Sequence, residues 1–311
     1  MKDSEWQRTR ISLENSSKSH GAEEKINLKT WNFFDLLTQF LGLFLKFTFL
    51  YNRGKKNATK LIITENKHFY HELPPCFDGL RILHLTDLHL DERPEMASLV
   101  ADKIKDLEFD LAVFTGDYTT YGLQTEQAKK SFHLCMKTIL DVVNSKDGTY
   151  CILGNHDSHL MYDHLSKHKV TILINDLISI KRGTEYINIL GTDDVHYFWT
   201  QKAEKVLNLA KEHFTIALVH SPELYKSAAE NQVNLYLCGH THGGQICFPG
   251  GKAIISHLNT GKKFISGAWK FKKMIGYTSN GIGSSVIPIR FFCPPEIAIH
   301  TLLCIGPSRT I

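Results

Sequence analysis

Short apolar runs recur along the chain from residue 80 onward, and each is typical of a strand buried on both faces. Segments with helical patterning lie between some of these runs, at 93–106, 124–143 and 200–212. This alternation predicts a layered α/β domain over residues 78–303. Residues 246–304 have short apolar runs broken by Gly and Pro, so we expect mainly strands there. The first five predicted strands are 80–86, 111–115, 150–153, 215–219 and 235–238.

Residues 1–30 are polar and mixed in charge, with few large apolar side chains. Such a composition predicts a mobile N-terminal tail. Arg8 and Arg10 are not adjacent, and neither an apolar run at signal-peptide spacing nor a small-residue cleavage site follows them. We therefore expect no export signal.

Residues 31–51 read WNFFDLLTQFLGLFLKFTFLY, and on a helix their polar side chains form one narrow stripe. Basic residues precede the segment and continue after it to residue 60. This pattern predicts an amphipathic helix over 31–60 that lies in the interface of an anionic membrane. Packing on the catalytic domain is one alternative. A single transmembrane anchor is the other, although a charge near the helix centre would cost roughly 2.5–3.5 kcal/mol. The stripe consists of Asn32, Asp35, Gln39, Gly42, Lys46 and Arg53.

The net charge of +4 and the pI of about 8.5 describe a mildly basic protein. This balance fits an anionic substrate or an anionic membrane surface, and it is too weak to indicate nucleic-acid binding. The seven cysteines are odd in number and include no CxxC pair. We interpret them as reduced thiols of a cytoplasmic protein.

Oxygen and nitrogen donors follow each of the five predicted strands. In open α/β sheets, ligands bind beyond the carboxyl ends of the strands, so these donors are expected to meet. Carboxylates and imidazoles suit two divalent ions such as Mn²⁺, Fe²⁺ or Zn²⁺. Each short motif alone is more often a loop or a core histidine, but the ordered set favours a metal centre. The predicted metal ligands are Asp87, His89, Asp117, Asn155, His220, His240 and His242.

The ordered blocks D-x-H, G-D, G-N-H-D, H and G-H-x-H resemble the calcineurin-like metallophosphoesterase superfamily, and the resemblance covers about residues 78–303. It implies a four-layer α/β/β/α sandwich and hydrolysis of phosphoester or phosphoanhydride bonds by a hydroxide that bridges two metals. It implies one ion at Asp87, His89 and His242, and a second at Asn155, His220 and His240. Asp117 would bridge them, His156 would be the general acid, and Asp157 would orient His156.

Two longer runs are similar to small bacterial membrane-associated phosphoesterases: GHTHGGQICFPGG at 239–251 and SNGIGSSVIPIRFFCPPEI at 279–297. With the N-terminal hydrophobic segment, they resemble the chlamydial type of UDP-2,3-diacylglucosamine pyrophosphatase. That resemblance implies cleavage to lipid X and UMP in lipid A synthesis, at the cytoplasmic face of the inner membrane with peripheral or single-anchor attachment. The alternative is a membrane-tethered phosphodiesterase or phosphatase for phospholipids or soluble nucleotides. A non-catalytic scaffold is disfavoured by the intact ligand set.

Three other features allow two interpretations each. Arg290 would bind an anionic headgroup of the substrate, or pair with Glu296 on the surface. Asp193 and Asp194 would close a loop near the site, or form a plain turn. The aromatic run from His196 to Trp199 would pack in the core, or form a wall for acyl chains.

Overall fold

The computed structural model describes residues 4–16, 43, 45–48, 50–254 and 258–305. Residues 17–30 of the predicted tail and most of the predicted amphipathic helix over 31–51 lie outside this range. Within the described ranges, no helix combines the length and the hydrophobicity that crossing a bilayer would require.

The described helices and strands follow one another in the α/β order that the sequence predicts. The helices are α1 (Ser4–Asn15), α2 (Leu50–Asn57), α3 (Glu95–Ile104), α4 (Glu126–Leu140), α5 (Leu160–Leu165), α6 (Gln201–Lys205) and α7 (Tyr225–Glu230). Short 3-10 helices span Pro75–Phe77, Val206–Glu212, Pro222–Leu224 and His242–Gly244. The strands are β1 (Ile62–Tyr70), β2 (Leu80–Leu85), β3 (Leu111–Phe114), β4 (Thr149–Cys151), β5 (Thr171–Ile172), β6 (Asp176–Arg182), β7 (Glu185–Gly191), β8 (Thr215–Leu218), β9 (Leu235–Cys238), β10 (Gly267–Phe271), β11 (Met274–Thr278) and β12 (Glu296–Cys304).

Two six-stranded sheets pack face to face around an apolar core. One has the order β1-β12-β2-β3-β4-β5, and the other β10-β11-β9-β8-β7-β6. Ile82 and Val113 of the first sheet meet Ile189, Ile216 and Leu237 of the second in this core. These strands are buried on both faces, which explains why they read as continuous apolar runs rather than alternating ones.

Helices cover the outer faces of both sheets. Met96 and Val100 of α3 and Phe132 of α4 pack on the first sheet. Ala203 of α6 and Ala228 of α7 pack on the second. The helix–sheet–sheet–helix order confirms the predicted four-layer α/β/β/α sandwich.

Parallel pairing places the predicted ligand loops at one edge of the molecule. Strands β2, β3 and β4 are parallel neighbours, as are β8 and β9 in the facing sheet. Because each predicted donor follows the carboxyl end of one of these strands, the loops converge above the two sheets.

The N-terminal residues differ from the predicted mobile tail, because Ser4–Asn15 form a helix that docks on the domain. Trp6 and Arg10 lie one turn apart on the same face of α1, and both are buried. The ring of Trp6 lies 5.7 Å from that of Tyr162, and Arg10 pairs with the carboxylate of Asp193. A buried arginine has no apolar signature, so the sequence pattern does not reveal this contact.

The described part of the predicted 31–60 helix packs on the domain through one face. Leu45 is buried against Ile287 and Ile289, and Gly54 lies so close to Ile289 that a Cβ atom would approach it to 2.8 Å. The opposite face is open, since Phe47 is 78% exposed. The segment thus has one face on the protein and one face available to another surface.

Candidate metal centre

The loops after β2 and β3 hold each other in place through their backbones. Asp87 donates its N–H to the carbonyl of Gly116, and His89 donates to the carbonyl of Asp117. The carboxylate of Asp87 also accepts the N–H of His240 at 3.1 Å. Asp87 therefore fixes the loop after β9 as well as facing the centre itself.

The structure brings the seven predicted ligands into one cluster, in which all are buried except Asn155 and His240, which are half-buried. His89 Nε2 lies 3.2 Å from His242 Nε2, and His242 Nε2 lies 3.6 Å from Asp87 Oδ1. On the other side, Asn155 Oδ1 lies 2.7 Å from His240 Nδ1 and 2.9 Å from His220 Nε2.

Asp117 lies between these two groups. Its Oδ2 atom is 3.3 Å from His220 Nε2 and 4.0 Å from His89 Nε2. Within each of two sets of residues, all the donor atoms lie within 4.8 Å of one another. The first set is Asp87, His89 and His242, and the second is Asp87, Asp117 and His220. The arrangement fits two neighbouring cations that share one carboxylate.

Hydrogen bonds at the outer ring nitrogens fix the orientation of two of the imidazoles. His220 Nδ1 donates to the carbonyl of Thr115 at 2.7 Å, which leaves Nε2 to face the cluster. His89 Nδ1 lies 2.8 Å from Thr120 Oγ1, and its Nε2 faces Asp117. An outer partner of this kind orients metal-binding histidines in many proteins, so this geometry also fits cation binding.

Backbone strain is concentrated at the same residues. Five of the eleven non-glycine residues with positive φ in the described ranges are predicted ligands, with φ between 44° and 70°. A positive φ is unfavourable for residues with a Cβ atom, and it persists where the surrounding structure requires it, commonly at functional sites. The five are Asp87, His89, Asp117, His240 and His242.

The ionisation of the buried side chains in the cluster is also consistent with cation binding. Burial raises the pKa of Asp87, because its charged form loses water. Burial also acts to raise the pKa of Asp117, but His220 and His156 hold it well below its usual range. Burial lowers the pKa of His220, yet Asp117 more than compensates and raises it to about 10. Buried carboxylates so close together require positive charge, which divalent ions would supply.

His156 and Asp157 do not form the predicted pair. His156 Nδ1 lies 3.1 Å from the carbonyl of Thr120, which orients the ring instead. The Asp157 carboxylate accepts the N–H groups of Gly154, Asp117 and Tyr118 at 2.8–3.0 Å. Asp157 therefore positions the backbone of the loops that carry Asn155 and Asp117, and the prediction that it orients His156 is corrected.

Arg290 is fully buried, so neither predicted interpretation of this residue holds. Its guanidinium donates to the carbonyls of Gly283, Asn280 and His242 at 2.5–3.3 Å, and its N–H groups face no open surface. Glu296, the alternative surface partner, is also buried and accepts from Tyr277. Arg290 thus supports the loop of His242 from behind and does not bind substrate.

Sequence reasoning missed several supporting residues, including Thr115, Thr120 and Arg10. His196, which the sequence indicates only as part of an aromatic run, is buried with its ring 4.3 Å from that of His240 and its Nδ1 2.9 Å from Glu223. These partners are distant in sequence, so no local spacing could have indicated them. Asp194 accepts three backbone N–H groups of the turn that follows it, as the plain-turn interpretation predicts.

Comparisons with known proteins identify relatives for most of this domain. The family model of the calcineurin-like phosphoesterases matches residues 80–244. The chain is 32% identical over 239 residues to the uncharacterized metallophosphoesterase YkuE of Bacillus subtilis, covering 74% of this chain and 81% of YkuE. It is 26% identical over 233 residues to phosphodiesterase YaeI of Escherichia coli, covering 72% and 82%. It is 30% identical over 251 residues to a bovine transmembrane protein with a metallophosphoesterase domain, covering 73% and 54%.

The packing around Gly154 predicts that Gly154→Ala weakens metal binding. A Cβ atom there would lie 2.2 Å from Asp117 Oδ1 and 2.6 Å from the Asp117 backbone nitrogen, so the shared carboxylate must move. We expect a loss of about 10–100-fold in metal affinity, measured by calorimetric titration of the metal-free protein. Gly183→Ala is the control: it adds the same Cβ atom where nothing lies within 4 Å, and the strain from its φ of 63° falls in the β6–β7 turn, at the other end of β7 from the ligand loops. Equal metal affinity in the two variants would contradict the prediction.

Proposed function

The chain belongs to the calcineurin-like phosphoesterase family, and on that premise we propose that it cleaves the phosphodiester or diphosphate bond of a lipid-linked substrate at a membrane surface. Membership makes it a metallophosphoesterase, a hydrolase of phosphoester bonds. The observation that carries the proposal is the position of Asp117 Oδ2, 3.3 Å from His220 Nε2 and 4.0 Å from His89 Nε2, between the two groups of donor atoms.

We assign one cation to Asp87, His89 and His242, and a second to Asn155, His220 and His240, with Asp117 shared. When bound, such a pair of ions supplies an acidified water and neutralises negative charge on the phosphoryl oxygens. The protein's own contribution is a rigid set of donors, whose strained backbone and outer hydrogen bonds are already in place before substrate arrives.

His156 is suited to protonate the leaving oxygen. Its Nδ1 bonds to the Thr120 carbonyl, so Nε2 is the nitrogen that remains to face substrate. The residue is half-buried, and its ring centroid lies 5.4 Å from that of His89. In hydrolysis the water oxygen joins phosphorus and the bond to the leaving oxygen breaks. The leaving oxygen takes a proton from His156, and the proton that the water releases passes to solvent, from which His156 is protonated again.

A membrane surface is supported by three segments that lie against one another beside the site. Residues 43–60, 245–254 and 279–294 contain no Asp or Glu. Cys247 donates its N–H to the carbonyl of Phe291 at 2.9 Å, and Gly54 packs on the ring of Phe291, so the segments form one face. We call it the basic apolar face. Its exposed apolar residues are Leu43, Phe47, Leu50, Phe248, Ile254, Val286 and Phe292, and its exposed cations are Lys46, Arg53, Lys55, Lys56, Lys60 and Lys252.

Exposed aromatic and aliphatic side chains surrounded by cations fit an anionic lipid surface, where apolar burial and charge attraction add. Arg290 lies in the third of these segments and bonds to the carbonyl of His242, so the face is next to the metal centre. In a lipid-linked diphosphate such as UDP-2,3-diacylglucosamine, the acyl chains would contact this face and the diphosphate would bind at the metal centre. A phosphodiester of a membrane lipid is the second candidate. The relative YaeI is named as a phosphodiesterase, which supports a phosphodiester bond as the one cleaved.

Asp117→Asn is expected to abolish turnover, because the amide cannot supply the negative charge that both cations share. Metal analysis of the purified wild-type protein should find close to two ions per chain, and chelation should stop hydrolysis of an aryl phosphodiester. Asp106→Asn, an exposed change on the helical side, should leave both properties unchanged. A wild-type protein that hydrolyses the diester fully after chelation would refute the proposal.

His156→Gln is expected to retain both metals and to lower kcat by roughly 10²–10⁴-fold on a substrate with a poor leaving group. The loss should shrink with a p-nitrophenolate leaving group, which needs little protonation. The measurement compares kcat for the two leaving groups in wild type and variant. Equal losses on both substrates would rule out the role as acid.

Replacing Lys55 and Lys56 with Gln is expected to weaken partitioning into vesicles that contain anionic lipid. At about 1 kcal/mol for each cation near such a surface, the double variant should lose roughly 30-fold in partitioning. Turnover of UDP-2,3-diacylglucosamine presented in vesicles should fall with it, and turnover of a soluble aryl diester should not.

The matched control replaces Lys103 and Lys105, exposed cations of the α3 region, with Gln. Equal partitioning of the two double variants would contradict the membrane surface. Hydrolysis of a membrane phosphodiester but not of the uridine lipid would assign the second candidate substrate.

A further inference from the structure

Helix α1 docks on the turn that carries Asn155 and His156 and on the loop after β7. Its Trp6 donates Nε1–H to Asp193 at 2.7 Å, in the loop after β7. Its Glu14 accepts the backbone N–H of His159 at 2.7 Å, and the other carboxylate oxygen lies 2.6 Å from His159 Nδ1. These bonds connect the helix to the loop after β7 and to the segment that follows the Asn155 turn.

Arg10 lies between these two contacts and bonds directly to the catalytic loop. Its Nη2 donates to the carbonyl of Gly154 at 3.2 Å and to the carbonyl of Asp157 at 2.6 Å. These carbonyls bracket Asn155, a predicted metal ligand, and His156, the predicted acid. One guanidinium group therefore spans the turn that presents both residues.

The other bonds of Arg10 leave the guanidinium little freedom. Nη1 donates to the carboxylate of Asp193, and Nε lies 3.3 Å from Glu14. The guanidinium carbon stacks 3.6 Å from the centre of the Phe198 ring. The residue is only 1% exposed. A planar group bound at its edges and its face has a fixed orientation, which lysine could not reproduce.

The catalytic turn is thus held from two directions. Asp157 accepts N–H groups of Gly154, Asp117 and Tyr118. Arg10 donates to carbonyls of the same turn. The Asp157 carboxylate accepts backbone N–H groups and the Arg10 guanidinium donates to backbone carbonyls, so the buried polar groups of Gly154 and Asp157 are satisfied.

We propose that α1 is an N-terminal clasp of the catalytic site, and that Arg10 is a positioning residue for Asn155 and His156. The inference rests on the proposed function for its kinetic consequence, but the contact itself does not. Groups that support metal ligands from outside typically change metal affinity or activity about 10–100-fold when they are removed. A comparable loss is expected here, although no atom of Arg10 touches substrate.

The test uses the full chain with Arg10→Ala, Arg10→Lys and the control Arg8→Ala, which alters an exposed arginine of the same helix. Arg10→Ala should lower kcat on an aryl phosphodiester about 10–100-fold, with KM within about twofold. Added methylguanidine should restore part of this loss by filling the vacated position. Arg10→Lys should remain impaired, and Arg8→Ala should match wild type.

Hydrogen exchange provides a readout that does not depend on turnover. Amides of residues 153–159 should exchange faster in Arg10→Ala, while those of β8 and β9 should not. If the wild-type protein hydrolysed none of the substrates, the proposed function would be wrong. The exchange measurement would still show whether α1 holds the turn at residues 153–159. Unchanged exchange at 153–159, or kcat within twofold of wild type, would overturn the clasp.

Two milder variants apply if Arg10→Ala does not fold. Trp6→Phe removes one donor to Asp193 but keeps an aromatic ring, and Glu14→Gln removes one charge but keeps an acceptor for His159. Each should give a smaller rise in exchange over 153–159, in the same direction. Wild-type exchange in both variants would overturn the clasp.

Discussion

Two carboxylates, Asp87 and Asp117, are buried at the centre, and the rest of the site must supply the positive charge and the hydrogen-bond donors that stabilise them. Carboxylates removed from water are stable only beside positive charge or hydrogen-bond donors. Imidazoles surround them, the N–H of His240 binds Asp87, and the N–H of His156 binds Asp117. The positive φ of the ligand residues shows that the backbone gives up local stability to bring these groups together. A pair of divalent ions at this site would balance the remaining negative charge.

Much of this arrangement follows from the sequence, because parallel strands impose it. A strand buried on both faces has a continuous apolar run, and the residue after its carboxyl end must lie at the shared edge of the sheets. The positions of Asp87, Asp117 and His220 are therefore predictable to within a residue or two. The apolar runs alone do not specify the order of the four layers, and only the resemblance of the five motif blocks predicts it.

The roles of buried polar residues are harder to predict. Asp157 follows His156 in sequence, which suggests a catalytic pair, yet its carboxylate faces backbone N–H groups. Arg290 and Arg10 are long cations that a sequence pattern places at the surface, and both are buried against carbonyl oxygens. Tertiary hydrogen bonds decide these cases, and their partners lie more than a hundred residues away or in irregular loops.

Arg10 and Arg290 lie outside residues 80–244, one near each end of the chain. The first supports the turn of Asn155, and the second supports the loop of His242. During translation, the turn of Asn155 is synthesised long before Arg290. Helix α1 can bind Asp193 only after residue 193 has been synthesised. The contacts that support the turn of Asn155 and the loop of His242 are therefore complete only after residues 10, 193 and 290 have all been synthesised.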